Sequence, residues 1–301
     1  MPQPEIGSRD WLMLALCAMC WGSAYTFNKI AITELGPFTI TALRLAIAVV
    51  ILWTLVIAAG LRLPPFSVGI WGGFVVYTLM SNIIPYALVL YGQRETASGL
   101  AAVIGSTTPL FTILLMRLVR GDQVLDMRKL LAILMGIGGV GLVFGPTLLE
   151  GWTSGTESKL ALLSAAMLYA IAAIYARRFM HLDPRMISAM LMTAGLMVSV
   201  PLASVFEQPW RAGWPSAEVT GAVVLLSVIG TASASLLFFA VFKRQGPTVT
   251  MLVTLLVPVT PLVLGAILFG ERLSGREALG ALVIALSLIV IDGRVFKAWR
   301  R

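Results

Sequence analysis

The sequence contains few charged residues for its length. Of its 301 residues, only 12% are charged and 58% are hydrophobic, whereas a soluble globular domain carries about 25% charged residues to cover its surface. With half that share, the charged residues are too few to cover a surface exposed to water. Soluble proteins, including those that bind nucleic acid, are therefore excluded, and most of the chain is expected to lie in lipid.

Histidine and cysteine, which many catalytic and metal sites use, are nearly absent. The one histidine is His181, and the two cysteines, Cys17 and Cys20, lie in an apolar run without an acidic or histidine neighbour. This pattern predicts neither a disulfide nor a metal site. The GIGGVG sequence at 136–141 fits a nucleotide-binding pattern, but inside an apolar run it indicates close helix packing. We therefore expect that the protein is not an enzyme, that it has no catalytic residue and that it binds no cofactor.

Long apolar runs are what the sequence has instead. A helix needs about 20 residues to cross a bilayer, because each residue adds about 1.5 Å. The runs between charged residues give ten candidate spans: 11–33, 36–59, 68–91, 96–119, 129–146, 159–180, 185–206, 217–242, 246–270 and 275–292.

The basic residues predict how these spans are oriented. With ten spans, fifteen of the 22 Lys and Arg residues fall on the side of the N-terminus, five on the other side, and two, Lys29 and Arg44, inside spans. Such a bias is the positive-inside pattern. Both termini are therefore expected in the cytoplasm, and the net charge of +8 reflects topology.

The two halves of the chain repeat each other weakly. Pro109 near the end of the fourth span corresponds to Pro261 in the ninth, and each precedes a polar turn, at Gly121-Asp122 and Gly270-Glu271. A unit of five spans crosses the membrane an odd number of times, so its second copy is inverted. Many secondary transporters are built in this way.

These observations predict an all-α polytopic membrane protein with ten transmembrane helices. It forms a single membrane domain over residues 1–301, with inverted five-helix repeats at 11–146 and 159–292 around a central cavity. A passive anchor has no use for such symmetry, so the architecture indicates a transporter. Its expected partners are a small-molecule substrate and the lipid bilayer, without nucleic acid. The oligomeric state, a monomer included, stays open.

Several stretches resemble a known family. They are CWGSAYTFNKIA (20–31), GPFTITALRLAIA (36–48), the two proline-bearing spans, and FGERLSGREALGALVIALSLIVI (269–291). The chain resembles the ten-helix, EamA-type branch of the drug/metabolite transporter superfamily, and within it the YddG-type exporters of aromatic and other neutral amino acids. The turn GDQVLDMRK (121–129) departs from the usual GE-type turn. The resemblance implies metabolite export across a bacterial inner membrane.

The first span offers a candidate cavity wall. Trp21, Tyr25 and Asn28 are spaced at i, i+4 and i+7 and share one helix face. Of the eight tryptophans, Trp21 alone falls near the predicted mid-membrane. This face either packs against another helix or stacks on an apolar or aromatic substrate.

The two basic residues inside spans have different depths. Lys29 lies about one turn from the end of its helix, so its side chain is expected to snorkel to the interface. Arg44 lies deeper and matches the arginine that the family carries in its second helix. Either could attract a substrate carboxylate, and holding helix-end carbonyls is an equally good role for Arg44.

Other polar and aromatic residues complete the candidate site. Asn82 and Tyr86 are i, i+4 neighbours, and Ser106 and Thr107 precede a proline, where hydroxyls can instead satisfy freed carbonyls. At an offset of 148, Tyr169 corresponds to Trp21 and Arg177 to Lys29. The predicted substrate-binding residues are Trp21, Tyr25, Asn28, Arg44, Asn82, Tyr86, Ser106, Thr107, Tyr169, Ser235 and Phe238. The predicted hinges are Pro85, Pro109, Pro258 and Pro261.

The acidic residues predict how transport is driven. None lies near the middle of a span, and proton-coupled carriers commonly use a buried carboxylate as the relay. We therefore expect alternating access without such a relay. Alternatives left open are a multidrug or other-metabolite efflux carrier and a non-transporting assembly subunit. An exporter of lipophilic cations would be expected to carry an intramembrane carboxylate, which the sequence lacks. A membrane-embedded enzyme would need a His, Asp or Glu cluster, which the sequence lacks.

Overall fold

The described part of the chain consists of helices and short connections. The computed structural model describes residues 7–61, 67–120, 127–144, 154–211, 213–250 and 253–292, and no strand occurs within these ranges. The α-helices are α1 (Ser8–Ala31), α2 (Pro37–Ala58), α3 (Val68–Thr78), α4 (Ile84–Glu95), α5 (Ser98–Gly105), α6 (Thr108–Arg120), α7 (Met127–Phe144), α8 (Ser154–Tyr175), α9 (Pro184–Phe206), α10 (Ala217–Leu225), α11 (Ala234–Thr250), α12 (Val253–Leu256), α13 (Val259–Phe269) and α14 (Gly275–Asp292).

These helices lie where the sequence predicts membrane spans. Six helical segments are long and apolar enough to cross a membrane: Pro37–Ala58, Val68–Glu95, Ser98–Met116, Gly155–Phe179, Pro184–Glu207 and Ala217–Gln245. Two shorter apolar helices cover Leu130–Phe144 and Val259–Phe269. The all-α, multi-pass membrane class is therefore confirmed. The count of ten spans and the inversion of the second half stay predictions. The GDQVLDMRK turn lies outside the described residues except for its last three positions.

Two spans contain a π-helical segment. Leu79–Ile83 joins α3 to α4, and Leu226–Ser233 joins α10 to α11. Pro85 follows directly in the first turn of α4, where its missing N–H costs little. π-Helical segments are rare and occur often at functional sites, and these two occupy corresponding places in the two halves.

Two other spans are broken into two helices. Residues 106–107 separate α5 from α6, and residues 257–258 separate α12 from α13. The hydroxyls of Ser106, Thr107 and Thr108 each donate to the carbonyl three positions earlier, at 2.6–2.8 Å. They satisfy carbonyls at a break in the ladder, as lipid-embedded backbone requires. Ser106 and Thr107 therefore satisfy backbone carbonyls, which is one of the two roles that the sequence left open for them.

The predicted hinge prolines all lie at these irregular places. Pro109 is in the first turn of α6, Pro258 precedes α13, and Pro261 is in its first turn. A further proline, Pro201, lies inside α9 and was not among the predicted hinges.

Helices of the first half pack mainly against helices of the second. The extensive pairs are α2 with α9, α4 with α8, α7 with α14, and α1 with the Leu226–Ser233 segment and α11. Smaller contacts join α5 to α13 and α1 to α13. The two halves therefore share one interior instead of forming two separate bundles.

Glycines allow the closest of these approaches. A Cβ on Gly139 of α7 would lie 3.0 Å from the carbonyl oxygen of Gly280 and 2.8 Å from Ile284 Cγ1. A Cβ on Gly280 would lie 2.8 Å from the carbonyl oxygen of Gly139. Close packing, as expected for the GIGGVG sequence, is thus confirmed for its residue 139.

Carboxylates connect helix ends across the halves. Glu207, which follows α9, accepts from the Phe38 and Thr39 N–H groups at 2.9 and 2.7 Å and from Thr39 Oγ1 at 2.6 Å. Glu271 accepts from the Ser98 N–H and hydroxyl at the start of α5. Both bind helix N-termini, which have unpaired donors and a positive dipole.

A third carboxylate makes a similar contact. Glu34 accepts from the Ser216 N–H at 2.8 Å, and hydrogen bonding by Ser216 lowers the pKa of the Glu34 carboxyl. Hydrogen bonds of Glu34, Glu207 and Glu271, which lie at the ends of predicted spans, therefore connect the two halves of the chain.

We predict that Gly139→Ala destabilises the protein by about 1–3 kcal/mol, because the added methyl meets backbone atoms that cannot turn away. Gly138 is the matched control, since a Cβ there meets nothing within 4 Å. Gly138→Ala should be neutral or stabilising by about 1 kcal/mol from helix propensity. Thermal unfolding of the purified variants measures both, and equal melting temperatures would contradict the packing.

We predict that Glu207→Gln lowers stability by about 1–2 kcal/mol, because an amide nitrogen cannot accept from the α2 N–H groups. Glu95→Gln is the control, since Glu95 is exposed at the end of α4. The midpoint of thermal unfolding should fall for Glu207→Gln alone. An unchanged midpoint would mean that water replaces the carboxylate.

Candidate functional site

A central cavity lies between the two halves. It has a volume of about 260 Å³ and is lined by residues of α1, α2, α4, α8, α9 and α11, both π-helical segments and both broken spans. Ten of the eleven predicted substrate-binding residues line it: Trp21, Tyr25, Asn28, Arg44, Asn82, Tyr86, Ser106, Tyr169, Ser235 and Phe238. Thr107 is buried but is not among the lining residues.

Arg44 is the charged group of this wall. Its side chain is 5% exposed. Nη2 lies 3.3 Å from Asn82 Oδ1 and 3.4 Å from the Asn82 carbonyl oxygen, and Nη1 lies 3.3 Å from Thr231 Oγ1. The guanidinium carbon stacks 3.7 Å from the Tyr86 ring centroid. Arg44 thus contacts both π-helical segments. It binds a backbone carbonyl within Leu79–Ile83 and lines the cavity, and attraction of a substrate carboxylate stays a prediction.

The contacts of Arg44 leave part of the guanidinium unsatisfied. The distances of 3.3–3.4 Å exceed the usual range of about 2.7–3.2 Å for such hydrogen bonds. Its buried Nε has no partner. In the described ranges, the ion pair found is between Arg244 and Asp10, and none involves Arg44. Arg44 therefore carries a buried charge without a counter-ion in the described part of the chain.

Other polar groups extend the same patch. Tyr86 donates its hydroxyl to Asn28 Oδ1, and Asn82 Nδ2 donates to Ser81 Oγ at 3.0 Å. Together with Arg44 these residues form one continuous polar cluster, contributed by α1, α2 and the Leu79–Ile83 segment with α4. Each member comes from the first half of the chain.

An aromatic cluster forms another part of the wall. The rings of Trp21 and Phe238 are 4.9 Å apart at an angle of 41°. Phe238 also contacts Phe239 and Phe242, at 5.3 and 5.9 Å between centroids. Tyr169 lines the cavity as well. Offset and tilted rings of this kind present apolar surface to a planar substrate.

Lys29 has a structural position outside the cavity lining. Its Nζ donates to the carbonyls of Gln93 and Thr96 at 2.8 and 3.3 Å, at the C-terminal end of α4. A cation there satisfies the last carbonyls and interacts favourably with the helix dipole. Sequence reasoning did not foresee this capping of α4, and snorkelling of Lys29 to the interface stays a prediction.

Sequence reasoning missed several lining residues of the second half. They include Met192, Thr231, Phe239 and Phe242. The repeat could have identified two of them. Met192 lies 148 positions after Arg44, and Thr231 lies 149 positions after Asn82. The same offsets relate Asn28 to Ala176 and Tyr86 to Ser235, which also line the cavity.

The chemistry of the lining is that of a binding site. None of the described residues that line the cavity is acidic. The described ranges also hold no group of three His, Cys, Asp or Glu side chains placed to bind a metal ion. The described residues of the wall offer one cation, several neutral hydrogen-bonding groups and aromatic rings.

Several known proteins of similar sequence are named as transporters. The chain is 25% identical to an uncharacterized transporter of Archaeoglobus fulgidus, over 94% of this chain and 98% of the relative. It is 26% identical to the uncharacterized inner membrane transporter YedA of Escherichia coli K12, over 92% and 89% of the two chains. A chloroplastic WAT1-related protein of Arabidopsis thaliana is 23% identical, over 94% and 69%.

A solved structure and a family model complete the comparison. One crystal structure matches with a TM-score of 0.69 at 18% identity, over 94% of this chain and 96% of the other, which shows a shared fold. The model of the EamA-like transporter family matches residues 10–145 and, a second time, residues 158–292. The chain therefore belongs to the EamA-like transporter family.

Proposed function

We propose that this transporter exports aromatic and other neutral amino acids by alternating access. The observation that carries the proposal is the central cavity, in which buried Arg44 lies close to aromatic side chains. A guanidinium matches the geometry of a carboxylate, and the rings of Trp21, Tyr169 and Phe238 suit an apolar or aromatic side chain. The YddG-type resemblance of the sequence points to the same substrates.

Three observations support a repeat of the two halves as the basis of alternating access. The family model matches each half separately, and both π-helical segments and both helix breaks recur at corresponding positions. Residues related by the repeat offset line the same cavity from both halves. If the second half is inverted, such a cavity can open to either side by related movements. Pro85, Pro109, Pro258 and Pro261 mark the irregular backbone where helices would bend.

The relatives and the charges of the chain support a location for the protein. One relative is named as an inner membrane transporter. The distribution of basic residues favours cytoplasmic termini. We therefore place this transporter in a bacterial inner membrane, with both termini in the cytoplasm.

The lining supports downhill transport. Proton-coupled carriers commonly relay protons through a buried carboxylate, and none of the described cavity-lining residues is acidic. Substrate movement would then follow the substrate's own gradient. A multidrug or other-metabolite carrier is the second candidate, favoured by the adaptable apolar wall of Met192 and the neighbouring phenylalanines.

We predict counterflow of labelled phenylalanine and tryptophan into proteoliposomes preloaded with the unlabelled amino acid. No ion gradient should be needed, because the substrate exchanges on an uncoupled carrier. Uptake of label, compared with protein-free vesicles, measures this. Absence of counterflow with aromatic and aliphatic amino acids would favour the second candidate, and a steep dependence on a proton gradient would contradict downhill transport.

We predict that Trp21→Ala raises the KM for tryptophan at least about fivefold, because loss of an aromatic contact costs about 1 kcal/mol beyond its buried area. Trp11→Ala is the control, since Trp11 is 47% exposed near the start of α1 and outside the cavity lining. Initial counterflow rates over a range of concentrations give both constants. An equal KM in the two variants would place the substrate elsewhere.

A further inference from the structure

The two halves provide corresponding positions around the cavity but different chemistry. Asn28 and Arg44 of the first half correspond to Ala176 and Met192 of the second, 148 positions later. All four side chains line the cavity. The lining charge is therefore present in one half and absent from the related place in the other. The cavity has a cationic part and an apolar part.

The cation in this cavity is not neutralised within the described part of the chain. Arg44 makes only long contacts to neutral oxygen atoms, and its Nε has no partner. Arginine stays charged in proteins, and a charge buried without a counter-ion is costly in a membrane protein. A bound anion would relieve this cost.

A zwitterionic amino acid relieves the cost of the buried Arg44 charge incompletely. Its carboxylate suits Arg44, but its ammonium group meets no acidic side chain among the described residues of the wall. The neutral oxygen atoms and aromatic rings of the wall offset the lost water of an ammonium less fully than a carboxylate would, which weakens binding. A monocarboxylate without the amino group brings a single negative charge and an apolar remainder, which match the two parts of the cavity.

We propose that the cavity also takes, and prefers, aromatic monocarboxylates that lack an amino group. The carboxylate lies against the guanidinium of Arg44, and the ring lies against the Trp21–Phe238 pair. The inference rests on the proposed function only in using the same cavity, and it extends the substrate class from zwitterions to organic anions.

Three ligands with the same ring and a similar carbon chain test this preference on the full-length protein. They are 3-phenylpropionate, phenylalanine and phenethylamine, which carry the carboxylate alone, both groups, and the amine alone. Competition against labelled phenylalanine in binding assays gives their dissociation constants. We expect 3-phenylpropionate to bind about tenfold more tightly than phenylalanine, and phenethylamine to bind most weakly. Equal or weaker binding of 3-phenylpropionate than of phenylalanine overturns the inference.

Substitution of Arg44 tests the cause of the preference. Arg44→Gln should weaken 3-phenylpropionate binding at least about tenfold and phenethylamine binding not at all, while Arg44→Lys should retain part of the preference. Arg178→Gln is the matched control, because Arg178 is exposed and outside the cavity lining. Size-exclusion profiles and melting temperatures establish whether the variants fold. The comparison of the three ligands uses the parent protein alone, so it tests the preference even if a variant does not fold. Undiminished 3-phenylpropionate binding in Arg44→Gln overturns the role of Arg44.

Exchange experiments separate this inference from the proposed function. Phenylalanine counterflow without 3-phenylpropionate exchange supports the proposed function and overturns the inference. Exchange of 3-phenylpropionate without phenylalanine counterflow supports the inference and overturns the amino-acid assignment.

Discussion

Every irregular turn of helix in a lipid-embedded protein leaves backbone groups that water cannot reach, so side chains must satisfy them. Much of the polar content of this chain serves that purpose. Hydroxyls of Ser106 and Thr107 bind carbonyls at a helix break, Lys29 binds the end of α4, and Glu207 binds the start of α2. In such a setting, a polar residue is available for a substrate only after these needs are met.

The same requirement connects the two halves of the chain. Carboxylates of the second half bind the first N–H groups of α2 and α5, and Arg44 of the first half contacts Thr231 in the second π-helical segment. Donors and acceptors at several helix ends thus come from the opposite half. In the proposed alternating access, a movement that separates these helix ends would exchange these hydrogen bonds for others.

Arg44 occupies the point where these requirements meet. It lies between the two π-helical segments, stacks on Tyr86, and faces the cavity with hydrogen-bonding capacity that its neighbours use only in part. The related position in the second half is Met192, which gives the cavity an apolar surface instead. Corresponding positions of the two halves thus carry different side chains, so the two sides of the cavity differ in chemistry.

Sequence reasoning alone predicted the membrane class, the positions of the helices and ten of the residues that line the cavity. Hydrophobic length and sparse charge leave no soluble alternative, and spacing on one helix face brings Trp21, Tyr25 and Asn28 to one wall. The tertiary structure alone decided which polar residues face the substrate and which satisfy backbone. Thr107 and Ser106 are adjacent in sequence, yet Ser106 alone lines the cavity. Similarly, Lys29 and Arg44 both fall inside predicted spans. Only the packing shows that Lys29 reaches the carbonyls at the end of α4 and that Arg44 lines the cavity. Pairing of this kind depends on contacts between residues distant in the chain, which periodicity and composition do not encode.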